Sequence, residues 1–194
     1  MRRRRLLFLA FLLCFGAPAL ALGQENTEIA GLYESLTRAE STDAAAQWIL
    51  DLSVKNPSVK GFAAAKLPPL IRSSEIGPVW LNAVRLAGQL KVAAAVPALI
   101  ESLTRGPVGR GEVTMAQYAN LDMDVVAKAL AEIGEPSIPP VKKMLGDNDA
   151  AQRKRGAMIL LKINSPQSRR VLRNHLKAES DPAIRIWIEQ NLPR

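Results

Sequence analysis

The sequence predicts an all-α fold built as a repeat array. Three observations predict it. One apolar pattern at helical spacing recurs at three places. Asn, Asp, Ser, Gly and Pro punctuate the chain at short intervals. Aromatic residues make up only 5% of the sequence, and no alternation of apolar and polar residues runs for any length.

The first residues are read as a targeting segment. Arg2, Arg3, Arg4 and Arg5 precede an apolar run from Leu6 to Phe15; Gly16 and Pro18 break it, and Ala19-Leu20-Ala21 supplies the small residues a signal peptidase reads. That order predicts a secretory signal peptide over 1–21, cleaved after Ala21, with Gly23 the second candidate, and a periplasmic or extracellular protein. An uncleaved membrane anchor is the alternative, although Leu6 to Leu22 falls short of the ~20 residues that span a bilayer. Cys14 follows Leu13 rather than the small residue of a lipobox, so it leaves with the signal, and the mature chain has neither disulfide nor thiolate.

Charge is uneven along the remainder. Residues 22–140 hold 10 basic and 13 acidic side chains, whereas 141–194 hold 12 basic and 5 acidic. Such a basic end bears on partners rather than on fold.

Helices are expected at 26–38 and 43–54, then one beginning at Pro57 after the cap-like Asn56. A further helix is expected to open at Leu67-Pro68-Pro69-Leu70-Ile71, which repeats Val96-Pro97-Ala98-Leu99-Ile100. These elements make a region 22–74 with a degenerate repeat. The clearer units fill 75–194, with an inserted loop at 104–120. When Leu90, Ile133 and Ile163 are superposed, the positions seven, four and three before them are Ala83, Leu86 and Ala87; Val126, Ala129 and Leu130; Gly156, Ile159 and Leu160. Each set lies on one helix face. Small residues recur at Val84, Ala127 and Ala157.

A second helix follows each first one. It opens at Val96-Pro97 and at Ile138-Pro139-Pro140, where proline suits the first turn. In the third unit Leu172 and Leu176 take the places of Leu99 and Leu103. Ser165-Pro166 and Asp181-Pro182 read as caps, the latter of a last helix carrying Ile184, Trp187 and Ile188, with Trp187 closing the end of the array. Gly146 is expected to stop a helix in the left-handed conformation. One helix pair cannot cover its own apolar face, so stacking of neighbours must bury it. Leu86, Leu130 and Leu160 are the expected core.

Stretches such as Asn82-Ala83-Val84-Arg85-Leu86-Ala87-Gly88 followed by Ala95-Val96-Pro97-Ala98-Leu99 resemble HEAT repeats, and more closely the short bacterial HEAT-like repeats named after phycocyanobilin lyases. The resemblance covers about 75–192 well and 43–74 poorly. It implies an α-solenoid, an ARM-type superhelix of stacked antiparallel helix pairs with the second helices on the concave side. Gly156 departs from the pattern, standing at a normally larger core position.

Few residues suggest catalysis. His175, the sole histidine, sits between Leu172 and Leu176 with no carboxylates at ligand spacing and no Gly-x-Ser-x-Gly elbow, so it is read as structural or surface. Asp122 and Asp124 flank a helix start and read as caps. Gly106-Pro107-Val108-Gly109-Arg110-Gly111 lacks the Lys-Ser ending of a phosphate loop. Neither a cofactor nor a metal is expected.

Partner-binding candidates are basic. Arg170, Arg173 and Lys177 lie at i, i+3, i+7, and Lys142, beside Lys143, aligns with Arg173 in the neighbouring unit. They are expected to form a positive ridge on the concave face, with Arg153, Lys154 and Arg155 adding charge. Arg110 and Tyr118 are candidates in the inserted loop, beside Arg105, Met115 and Gln117. The expected function is a non-catalytic protein-interaction scaffold with an acidic partner; an anionic envelope polymer or a membrane surface suits the same charge. Two alternatives stand: a bilin lyase or chaperone, from the resemblance alone, and nucleic-acid binding through the basic ridge, which export opposes.

Overall fold

The computed structural model describes residues 27–105 and 124–193, and among these no strand occurs. The N-terminal segment, Arg110, Met115, Gln117, Tyr118 and Asp122 lie outside the described residues. The described residues form ten α-helices, in order α1 (27–36), α2 (Thr42–Lys55), α3 (Ser58–Ser73), α4 (Pro78–Gln89), α5 (Val96–Arg105), α6 (Val125–Ile133), α7 (Ile138–Met144), α8 (Ala150–Ile163), α9 (Pro166–Leu176) and α10 (Pro182–Asn191).

They form two layers. Helices α2, α4, α6, α8 and α10 pack side by side in one, and α3, α5, α7 and α9 in the other. Each second-layer helix also packs against the first helix of the following unit: α3 on α4, α5 on α6, α7 on α8 and α9 on α10. This is a helical solenoid with one seam between layers. Leu86, Leu99, Leu130, Ile138, Ile159, Leu160 and Leu172 lie in that seam, each at most 1% exposed. Leu90 and Ile133 are buried as their register requires; Ile163 and Leu176, nearer the end of the array, are only half-buried.

Small residues set the spacing of the first layer. A Cβ on Gly88 would lie 2.8 Å from the Cα of Ala129, so α4 and α6 meet almost backbone to backbone. At Gly156 a Cβ would stand 3.1 Å from the Cβ of Met144 and 3.4 Å from the carbonyl of Val141. The glycine at this core position therefore admits α7 close to α8.

Caps fall where proline and polar residues announce them. The side chain of Ser165 accepts from the Ser168 N–H, Asp181 from those of Ala183 and Ile184, and Asp124 from that of Ala127. Asn56 accepts from the Ser58 N–H at 2.9 Å ahead of α3.

Two expectations of local structure fail. No helix opens at Pro68; Pro68 and Pro69 lie inside the continuous α3. No turn-forming residue precedes them, and the helix-favouring Ala63-Ala64-Ala65 carries the chain through. Burial of Leu67 and Ile71 then offsets the two missing N–H donors. Gly146 is not left-handed either. The N–H groups of Gly146 and Asp147 turn back to the carbonyls of Lys143 and Met144, a tight final turn. The positive φ angles belong instead to Lys91, Gly134 and Asn164, which close α4, α6 and α8.

Candidate partner-binding face

Burial of Leu172 fixes which side of α9 faces out. Leu172 and Ser168 point into the core, so Arg170, Arg173, Asn174 and Lys177 come to the exposed side one above another. On the adjacent α7, Val141 is buried and Lys142 and Lys143 are exposed. Helices α7 and α9 are neighbours in the second layer, so these cations share one face, as the repeat register predicts.

They do not form a plain ridge. Arg170, Arg173 and Lys177 line a depression that also holds Glu135, Gln167 and Asn174. Lys142 lines a second cleft of about 630 Å³, with Asn148, Val171, Asn174 and His175. Asn174 belongs to both, so the two adjoin along α9; Lys143 lines neither. Among the described residues Lys142, Lys143, Arg170 and Lys177 make no ion pair. Arg173 reaches only the carbonyl of Pro193, at 3.3 Å. These five cations therefore stand exposed without an ion pair among the described residues.

The other expected cations turn inward. Arg153, Lys154 and Arg155 do not add to the exposed charge: the side chains of Arg153 and Arg155 are 14% and 3% exposed, and Lys154 is 9% exposed. Arg155 Nε pairs with Asp124 Oδ2 at 2.9 Å. The ammonium of Lys154 stands 5.4 Å from the centre of the half-buried Trp187 ring, and burial lowers its pKa. Trp187 thus packs over Lys154 of α8.

Arg153 builds the wall of the cleft. Its Nε and Nη2 donate to the carboxylate of Glu179 at 3.0–3.2 Å, while Nη1 donates to the carbonyls of Asp147 and Asn148, both at 3.1 Å. Glu179, whose side chain is fully buried, also accepts from the Asp181 N–H at 2.9 Å. His175 Nε2 lies 2.8 Å from the other carboxylate oxygen. An ionised carboxylate only accepts, so Nε2 carries the proton. Burial pushes the Glu179 carboxyl up, but Arg153, the Asp181 N–H and His175 outweigh it and hold its pKa down at about 2. Arg153 is raised in turn, chiefly by its hydrogen bonds to Glu179. His175 thereby clamps the α9–α10 connection.

Sequence reasoning missed this cluster because Arg153 lies 26 residues before Glu179. Repeat alignment does carry a signal for a different polar link, that of Arg155 to Asp124. Asn82 and Arg155 stand eight residues before Leu90 and Ile163, in one column of the repeat. Both reach back to the start of the preceding first-layer helix. Asn82 Nδ2 donates to Asp43 Oδ1 at 2.6 Å and to Thr42 Oγ1 at 3.3 Å on α2, and Arg155 donates to Asp124 at the cap of α6.

Among the described residues no group of three His, Cys, Asp or Glu is placed to hold a metal ion, and no helix is long and apolar enough to cross a membrane. No curated protein and no solved structure matches the chain. Residues 124–193, which run from the Asp124 cap to the end of the last helix and contain the whole basic face, match the family model of HEAT repeats. Residues 124–193 thus form HEAT repeats, and the helices described ahead of them stack in the same two layers around one seam.

Proposed function

We propose that this protein is an exported, non-catalytic scaffold that holds a protein partner against the outward face of α7 and α9. HEAT repeats are generally protein-interaction scaffolds, and the observation that supports this face is its unpaired charge. Four exposed cations on two neighbouring helices, Lys142, Lys143, Arg170 and Lys177, have no described ion-pair partner, and a negatively charged surface supplies one. Capture of partners from envelope extracts tests the reading. The Lys142→Glu/Arg170→Glu/Arg173→Glu variant is expected to lose what the wild-type chain retains, and unchanged capture overturns the assignment of the face.

Export rests on the order of Arg2–Arg5, the apolar run and Ala19-Leu20-Ala21. N-terminal sequencing of protein recovered outside the cytoplasm is expected to begin at Leu22; a chain that begins at Met1 there contradicts cleavage.

A further inference from the structure

We infer that the trough along α9 takes a short acidic stretch of polypeptide, rather than a long polyanion or an anionic membrane; this rests on the proposed use of the α7/α9 face for partner binding. The first argument is shape. Asn174 lines both the Lys142 cleft and the Arg170–Lys177 depression, so the cations line two adjoining hollows along α9 and do not stand on a flat surface. A bilayer surface meets raised charge and reaches poorly into such hollows.

The second argument is length. From Arg170 to Lys177 the helix rises about 10 Å. An extended chain covers that distance in about four residues, at roughly 3.3 Å each. Carboxylates bound the cationic region on both sides. Glu135 lines the depression with Arg170 and Arg173, and Asp147 lines the cleft with Lys142. Both are exposed. A uniformly negative polymer that runs past the cations meets like charge at Glu135 and Asp147, whereas a short acidic run with neutral flanks does not. Glu179 adds no such repulsion, because Arg153 and His175 occupy its oxygens.

The third argument is the lining between the charges. The side chain of Asn174 offers two donors and an acceptor at the junction and has no described partner; half-buried Val171 and buried Leu145 give the cleft an apolar floor. Peptide carries backbone amides and side-chain methylenes that suit both. Polyphosphate carries neither.

Fluorescence anisotropy with the purified chain tests this, using a labelled peptide with about four consecutive glutamates between glycine-serine flanks. Long-chain polyphosphate and phosphatidylglycerol vesicles compete. The peptide is expected to bind, to weaken with added salt, and to lose at least about fivefold in affinity in Arg170→Gln/Arg173→Gln. Polyphosphate is expected to compete poorly against the wild type and better against Glu135→Gln/Asp147→Asn. Circular dichroism of each variant checks that it is folded. If polyphosphate or vesicles bind the wild type more tightly than the peptide, and lose that binding in Arg170→Gln/Arg173→Gln, the peptide inference falls while the face keeps its role. Peptide binding unchanged in Arg170→Gln/Arg173→Gln, or no binding of any probe, also overturns the inference, and partner capture then decides the broader reading independently.

Discussion

The carboxylate of Asp124 serves two helices at once: Oδ1 accepts the Ala127 N–H at 3.0 Å and caps α6, while Oδ2 pairs with Arg155 of α8 at 2.9 Å. Replacing Asp124 therefore separates two effects. Asn is nearly as good a cap as Asp, so Asp124→Asn removes mainly the charge that compensates buried Arg155. The expected loss in urea unfolding is about 3–5 kcal/mol, and Asp124→Ala should lose roughly 1 kcal/mol more. Asp124→Asn/Arg155→Met should be less destabilised than the sum of its single changes, because both single changes remove the same Nε–Oδ2 pair. Strict additivity would show that the pair is not coupled.

Acid should loosen the C-terminal units through Glu179. Its pKa in the folded chain is held at about 2 against an ordinary 4.5. A depressed carboxylate stabilises the fold fully above its unfolded value and loses that contribution as pH falls from about 4.5 toward 2. Thermal melts across this window should show Tm falling, and Glu179→Gln, already destabilised at neutral pH, should show a flatter profile. Parallel profiles for the two chains would place the acid sensitivity elsewhere.

Two glycines should respond differently to alanine. Gly88→Ala gains about 1 kcal/mol of helix propensity, but its Cβ would press on the Ala129 backbone at 2.8 Å. The expected net loss is about 1–3 kcal/mol by chemical denaturation. At Gly156 the nearest neighbour is the Cβ of Met144 at 3.1 Å, which yields more easily than a helix axis, so Gly156→Ala should stay within about 1 kcal/mol of wild type. Equal losses would mean that backbone approach is not what Gly88 provides.

Removing a polar group from the core should help. The Ser137 hydroxyl is fully buried and is, among the described residues, a side-chain polar atom without a hydrogen-bond partner. Ser137→Ala removes that unmet donor and acceptor and should raise stability by about 1 kcal/mol, read as a higher urea midpoint. A loss of similar size would reveal a partner that the hydroxyl finds in solution.

Leu130 is the deepest test of the seam, with no exposed surface. Leu130→Ala should lose about 2–5 kcal/mol through the cavity it leaves, measured by thermal or urea unfolding. A melt like that of wild type would contradict the register.

The first-layer helices were legible because apolar residues at i, i+3, i+4 and i+7 leave few other solutions, and Leu86, Leu130 and Leu160 lie where that spacing puts them. The second helices of the clear units were marked by proline at the first turn. The same mark misled at Pro68, where packing on α4 and α5 holds a helix through two prolines. Helix ends were harder: Lys91 and Asn164 close α4 and α8 with positive φ, whereas Gly146, expected to be left-handed, is not. On the candidate face, exposure of Lys142, Arg170, Arg173 and Lys177 followed from register alone. Arg153, Lys154 and Arg155 did not, because charge by itself predicts solvation, and their partners Glu179, Trp187 and Asp124 come from other parts of the chain. Only the shared column of Asn82 and Arg155 hinted at a polar link to the previous unit.

Because α3, α5, α7 and α9 each lean on a helix that comes later in the chain, none of these described hairpins is finished when its own residues are in place. During synthesis, every newly emerged pair waits with one greasy flank open until the next stretch leaves the ribosome. Closure must then travel from the amino end toward the carboxyl end, and α10 is the helix that covers the flank of α9. A chain stalled short of Pro182 would carry an uncovered flank and offer it to chaperones.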